Sequence, residues 1–318
     1  MTGAGQPVVV AGVDCGTNSV RLLVARYQDG SFTELHRELR IVRLGEAVAE
    51  TGRLGEAALE RTDTALADYA ETIRRLGAVR VRFVATSAAR DAANRDRLVD
   101  LVRYRLGIQA EIVSGAEEAA LSLRGALAVA CAQPAGTTVL VVDIGGGSTE
   151  LVVGRVGDRP PRAAVSLDIG CVRLTEVHLH DDPPTTDEVA ALRRAVLNQL
   201  DTVEAEIRAA AAGLVVGVAG TVTTIAALAR NLAEYDRSIV HGTELSAADI
   251  ERTTARLVRA GHAERAAMRV IHPGRIDVIT AGALILSCLV VWGGVGAVVA
   301  SETDILDAIT ASTLDQSW

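Results

Sequence analysis

Apolar and polar positions alternate with turn signals in a pattern that occurs twice along the chain. Val8–Val13 is an unbroken apolar run that ends in Asp14-Cys15-Gly16-Thr17-Asn18-Ser19, and a second apolar run follows as far as Arg26. Two runs around a glycine-containing polar turn predict a β-hairpin. The pattern returns without a gap at residues 137–155, where Asp143 falls on Asp14, Gly145 on Gly16, Ser148 on Ser19, Leu151 on Leu22, Val153 on Val24 and Arg155 on Arg26. The matches include the punctuating Asp, Gly and Ser as well as apolar positions, which points to a duplicated domain.

Alternating α/β material follows each hairpin. Leu59, Ala65, Leu66, Tyr69 and Ile73 have helical spacing within Glu56–Leu76; Arg80–Ala85 and Ala110–Val113 read as strands, and Asn94–Leu106 and Ala116–Val129 as helices. In the second half the spacing predicts one long helix over Thr185–Ala211 capped by Thr185 or Thr186, a strand at Leu214–Val218, and helices over Val222–Leu232 and Ala247–Ala260. Such alternation implies layered α/β domains. The boundary is expected just before the second hairpin, giving domains at 1–125 and 126–301, with an amphipathic tail from Glu302 folding back on the first domain as a helix over 302–318.

Val278–Ala300 carries no charge over 23 residues, which is long enough to cross a bilayer. Gly293, Gly294 and Gly296 divide it, there is no second span and no basic flank, and a buried helix, a glycine turn and a short interior strand account for the same residues. Met1–Gln6 lacks the charged and apolar regions of a signal peptide. Cys15, Cys131, Cys171 and Cys288 are too scattered for a zinc cluster and read as reduced thiols in a cytoplasmic protein.

Charge and composition narrow the chemistry. All 32 basic residues are arginine; there is no lysine, which excludes Schiff-base enzymes, Walker-type NTPases and protein kinases. Any phosphate must be held by guanidinium groups and backbone N–H groups. The net charge of −8 and an aromatic content of 3% argue against nucleic-acid partners. Within Arg74–Arg105, nine arginines against three aspartates leave +6 on an otherwise acidic chain, and Arg90, after a predicted strand exit, is its best candidate for meeting a polyanion.

Four motifs can carry chemistry. The turn Gly16-Thr17-Asn18-Ser19, with Arg21 beyond it, can ring a phosphate or simply close a hairpin. In Asp143-Ile144-Gly145-Gly146-Gly147-Ser148-Thr149-Glu150, three glycines in a row with an acid at each margin suit a phosphate loop whose acids orient water or Mg²⁺. Gly217–Thr224, with Gly220 and Thr221, leads a strand into a helix and offers an anion site or an N-cap at Thr221. In Ser114-Gly115-Ala116-Glu117-Glu118-Ala119 the glutamates either favour the helix dipole or supply a general base. His178 and His180, in a Pro-containing loop, and His272, in a turn, read as surface residues.

These motifs, in this order and spacing, resemble the exopolyphosphatase/guanosine pentaphosphate phosphatase family along nearly the whole chain. The resemblance implies an α/β fold of two ribonuclease-H-like domains in the actin/sugar kinase/Hsp70 class, with an active-site cleft between them. It implies exopolyphosphatase activity, the Mg²⁺- or Mn²⁺-dependent hydrolysis of the terminal phosphoanhydride of inorganic polyphosphate. The alternatives are hydrolysis of pppGpp to ppGpp, or a weakly catalytic regulator that binds (p)ppGpp or polyphosphate. By position, Glu118 would activate water, and Asp143 and Glu150 would place metal and water. Gly16, Thr17, Asn18, Ser19, Gly145, Gly146, Gly147, Ser148, Gly220 and Thr221 would hold phosphate, with Arg21 and Arg90 on the polyanion. The implied protein is a cytoplasmic homodimer without membrane or nucleic-acid partners. The tail departs from the family pattern: Leu306 stands at an arginine position and Ala308 at a glycine, which bears on tail packing and substrate length.

Overall fold

The computed structural model describes residues 6–130, 133–157 and 161–314. Two compact units make up the chain: one runs to Ser114 and takes the chain back from Ile305, and the other is Gly115–Asp304.

The first unit is built on a five-stranded sheet of β1 (Val8–Cys15), β2 (Ser19–Gln28), β3 (Ser31–Ile41), β4 (Arg80–Ala85) and β5 (Ala110–Ile112), in the order β3-β2-β1-β4-β5. β1, β2 and β3 form an antiparallel meander, while β4 and β5 run parallel to β1. The parallel return requires a crossover, supplied by the Glu56–Arg75 helix, whose apolar stripe buries Leu59, Leu66, Tyr69 and Ile73. The Tyr69 hydroxyl meets its own need by donating to Val20 O at 2.9 Å.

The second unit repeats the plan. Its sheet runs β10 (Glu244–Ser246), β11 (Ala297–Ala300), β9 (Leu214–Val218), β6 (Thr138–Ile144), β7 (Thr149–Arg155), β8 (Ala163–Leu167). Without the edge strand β10, this is again a meander, β6-β7-β8, with two strands parallel to its first member. The fold is therefore the duplicated ribonuclease-H-like α/β plan expected from the sequence. The uncharged stretch forms the Ile279–Gly293 helix, buried on almost every side, then a left-handed C-cap at Gly294 (φ 62°), then β11. Among the described residues no helix is long and apolar enough to cross a membrane.

Four local expectations need correction. The unit boundary falls after Ser114, not at 125, because the Gly115–Ala126 helix packs on β7 and β8 of the second sheet. The expected helix over Thr185–Ala211 breaks into Thr186–Leu200 and Ala205–Ala210; Thr202 Oγ1 donates to Gln199 O at 2.7 Å, the kind of side-chain competition that ends helices. Of the two expected caps, Thr185 starts the helix and forms a capping box with Glu188. The helix after β9 begins at Ala219, three residues early, and β3 and β8 were not foreseen, although Asp29-Gly30 (φ 51° and 84°) is a two-residue hairpin turn directly before β3.

The tail forms a helix at Ile305–Ala311 against β1; residues 315–318 lie outside the described chain. Arg37 of β3 pairs with Asp307 at 2.5 Å, and Leu306 and Ala308, the two departures from the family pattern, are buried packing positions. The close approach depends on Gly12, where a Cβ would come within 2.8 Å of Thr310 N and 3.0 Å of its Cα. Gly12→Ala is expected to push the tail helix off β1 and cost ~1–3 kcal/mol; an unchanged thermal midpoint would contradict this packing.

Candidate active site

In the second unit, Asp143 near the end of β6 and Glu150 on β7 are directly opposed cross-strand partners. Between them Gly145 N donates to Ser148 O at 3.0 Å, the same turn bond that Gly16 N makes to Ser19 O at 3.0 Å in the first hairpin. Glu118, from the Gly115–Ala126 helix packed on β7, acts on Glu150 electrostatically. All three acids are buried. Burial first, then the charges of Glu118 and Asp143, hold the Glu150 carboxyl well above the usual carboxylate range; hydroxyl bonds from Ser166 and Ser148 oppose this. Ser166 Oγ donates to Glu150 Oε1 at 2.7 Å and Ser122 Oγ to Asp143 Oδ2 at 2.7 Å.

The glycine turn is held from one side. Cys171 N donates to Gly145 O at 3.0 Å, Val172 N to Gly146 O at 2.9 Å and Arg173 Nε to Gly147 O at 2.9 Å. Gly170 makes this possible, because a Cβ there would strike the backbone of Gly146 and Gly147. In a trans peptide the N–H points opposite to the C=O, so the N–H groups of Gly146, Gly147 and Ser148 face away from this segment. A row of N–H groups so presented is an anion-binding concavity.

The third motif arrives beside it. β9 ends at Val218, the parallel partner of Asp143, and the Ala219–Ala229 helix starts there. Ala219 takes a left-handed φ of 65°, an uncommon conformation for a residue with a Cβ, at the sharp strand-to-helix turn. Arg275 lies across Gly220, with Nη1 donating to Gly220 O at 3.4 Å and no room for a Cβ beneath its guanidinium. Thr221 is not the N-cap, as the sequence allowed; Val218 is. The Thr221 hydroxyl is instead bonded to the Cys171 thiol, which burial pushes up to about 11.

The first unit gathers its own candidates at the carboxyl ends of β1 and β4. Thr17 Oγ1 and Ser87 Oγ share a 2.8 Å hydrogen bond, and Asn18 O accepts from Val42 N at 3.0 Å and Arg43 N at 2.9 Å. Arg90, in the Ser87–Asp91 helix, donates from Nη1 to Val113 O at 3.2 Å. Arg21 is the cross-strand partner of Asp14 and gives it Nε at 2.9 Å and Nη2 at 2.6 Å. Register puts Arg21 where the second hairpin has Glu150: one repeat carries an ion pair and the other two carboxylates.

Sequence reasoning missed Ser122, Ser166, Arg173 and Arg275. Ser122 follows Glu118 by four residues and was legible once a helix was drawn; the others have no local signature. His178 ends the Cys171–His178 helix and His180 lies in the loop after it, while His272 Nδ1 accepts from Gly274 N at 3.2 Å in its turn. Cys15, Cys171 and Cys288 are free and buried; Cys131 lies outside the described residues.

Fold and site together define an enzyme of the duplicated ribonuclease-H-like class, with buried acids set around a glycine turn. The chain belongs to the Ppx/GppA phosphatase family, whose profile matches residues 23–291. It is 45% identical over 316 residues to exopolyphosphatase 2 of Mycobacterium tuberculosis, spanning 95% of this chain and 98% of that one. Over 225 residues it is 32% identical to a guanosine-5'-triphosphate,3'-diphosphate pyrophosphatase of Vibrio vulnificus, spanning 71% of this chain and 44% of that one. The crystal structure of the Aquifex aeolicus family member superposes with a TM-score of 0.80 at 32% identity, covering 98% of this chain and 99% of that one.

The raised Glu150 pKa fixes a pH dependence. Below the ordinary value of 4.5 the carboxyl is protonated folded and unfolded. As pH rises, the unfolded chain loses this proton first, so the group's contribution to stability falls until native Glu150 ionises. Glu150→Gln is therefore expected to match the wild type near pH 4 and to exceed its melting temperature at pH 8 in chelator. A lower melting temperature than wild type at pH 8 would contradict the like-charge cluster.

Proposed function

We propose that this chain is an exopolyphosphatase: it hydrolyses the terminal phosphoanhydride of inorganic polyphosphate and releases orthophosphate. The observation that carries this reading is the convergence of Glu118, Asp143 and Glu150 beside a glycine turn whose N–H groups face away from the segment holding it. Full-length likeness to an exopolyphosphatase supports polyphosphate, and the shorter, weaker likeness to a guanosine pentaphosphate-type pyrophosphatase makes pppGpp the second substrate to test.

In this mechanism the terminal phosphate rests against the N–H groups of the Gly145–Ser148 turn and the start of the Ala219–Ala229 helix, where the helix dipole also favours negative charge. Water attacks phosphorus in line with the leaving phosphate. Glu118 takes the water proton as general base. Arg275, lying across Gly220, is placed to balance charge on the transferred group as it builds. In the first unit Gly16–Ser19 and Arg90 are anion-binding candidates by the same physics, while Arg21 keeps Asp14 neutralised.

The acids also bear on a metal. Among the described residues no group of three or more His, Cys, Asp and Glu is set to hold an ion by itself. Two opposed carboxylates, Asp143 and Glu150, suit Mg²⁺ or Mn²⁺ instead, because such ions keep waters and substrate phosphates among their ligands. The like charges of Glu118 and Asp143 acting on Glu150 fit a cation there. When bound, the ion would polarise phosphate oxygens and offset their charge.

Glu118→Gln is expected to lower phosphate release by about 10²–10⁴-fold with the fold intact; turnover near wild type would remove Glu118 from the role of base. Parallel assays with long polyphosphate, short polyphosphate and pppGpp test the substrate, and a higher kcat/KM for pppGpp would favour the second reading. Because every side-chain cation other than histidine is a guanidinium, which keeps its charge across this range, KM for polyphosphate is expected to stay flat from pH 8 to 10. A rise across that range would mean a titrating group holds the substrate.

A further inference from the structure

We propose that Ser122 is a positioning residue for hydrolysis: its hydroxyl sets the direction in which Asp143 offers its carboxylate to a divalent cation. The inference rests on the reading of Asp143 as a cation ligand. Ser122 lies one turn beyond Glu118 on the Gly115–Ala126 helix, and residues four apart share a helix face. Asp143 and Glu150 face one another across β6 and β7, so one helix face addresses both strands of the hairpin. Glu118 acts on Glu150 electrostatically, and Ser122 Oγ donates to Asp143 Oδ2 at 2.7 Å.

Three features make this contact a constraint. Asp χ2 is broad and roughly two-fold, so the plane of the Asp143 carboxylate is not set by its own rotamer. Ser122 is fully buried on a helix whose Ala119, Leu123 and Ala126 belong to the core with Val141 and Val152, so the hydroxyl cannot turn to bulk water. A serine within a helix often returns its proton to the i−4 carbonyl, whereas Ser122 gives its proton to a carboxylate from another element, a stronger charge-assisted bond. Glu150 receives a hydroxyl in the same way from Ser166 of β8. In the first hairpin the corresponding aspartate, Asp14, is fixed by Arg21. The second hairpin thus gives each of its two carboxylates a hydroxyl donor.

The test compares Ser122→Ala, Ser122→Thr and Asp143→Asn. Mn²⁺ binding is titrated on the substrate-free protein by electron paramagnetic resonance, and phosphate release from polyphosphate is measured against Mg²⁺ concentration. Loss of an outer hydrogen-bond partner weakens metal sites by about 10–100-fold. Ser122→Ala is expected to weaken Mn²⁺ binding by at least about tenfold and to raise the Mg²⁺ needed for half activity by the same factor. KM for polyphosphate at saturating Mg²⁺ should stay unchanged, and Ser122→Thr should restore both metal readouts. Thermal unfolding in chelator checks that the alanine variant is folded. Wild-type Mn²⁺ affinity in Ser122→Ala, alongside its loss in Asp143→Asn, overturns the inference alone. Wild-type affinity in Asp143→Asn overturns the ligand reading, and the inference with it.

Discussion

Two carboxylates held face to face across a hairpin, with a third directed at them from a helix, impose the constraint on which the second unit is built. Asp143 and Glu150 are fixed as cross-strand partners by the β6–β7 register, and a one-residue slip would send one of them to the other face of the sheet. Burial makes their mutual repulsion costly, and the like charges of Glu118 and Asp143 push Glu150 toward its protonated form. Such an arrangement needs a shared proton or a cation to relieve it. The surrounding parts answer that need: serine hydroxyls orient the acids, and the glycine turn offers N–H groups without adding a side chain.

The duplicated hairpins show how one scaffold reaches two electrostatic states. Both close with the same Gly N–H to Ser carbonyl bond, and both sit on a meander followed by two parallel strands. Exchange of a single register position, Arg21 for Glu150, turns a neutral pair into an acidic one. The first hairpin thus carries an internal ion pair, while the second keeps two opposed acids. Complete absence of lysine is compatible with this division, since backbone N–H groups and guanidinium groups supply the positive character throughout.

Glycines mark the places where backbone must touch backbone or a guanidinium. Gly170 lets the chain rest on Gly146 and Gly147, Gly220 lies under Arg275, and Gly12 admits the tail helix. These contacts join segments far apart in sequence, so their purpose could not be read locally. Arg275 is the clearest case: 55 residues separate it from Gly220, and its own surroundings read as an ordinary Pro-Gly turn.

The sequence alone determined the duplicated hairpins, most of the alternating α/β order and the buried character of the 278–300 stretch, because local periodicity and turn chemistry encode these directly; Asp143 and Glu150 stand out at the margins of the glycine turn, whereas Glu118 is distinguished from Glu117 only by the family resemblance. Sequence reasoning placed the unit boundary about ten residues late, since which sheet the Gly115–Ala126 helix covers depends on packing and not on its own pattern. It also allowed Thr221 as a cap, where the fold uses its hydroxyl on Cys171. Tertiary structure decided that Arg21 is paired with Asp14, that Ser122 and Ser166 hold the two acids, and that Arg173 and Arg275 lie on the glycine segments. The physical reason is common to all of these: a side chain's partner is set by which faces meet across the sheet and helices, and that meeting has no signature within a few residues of either partner.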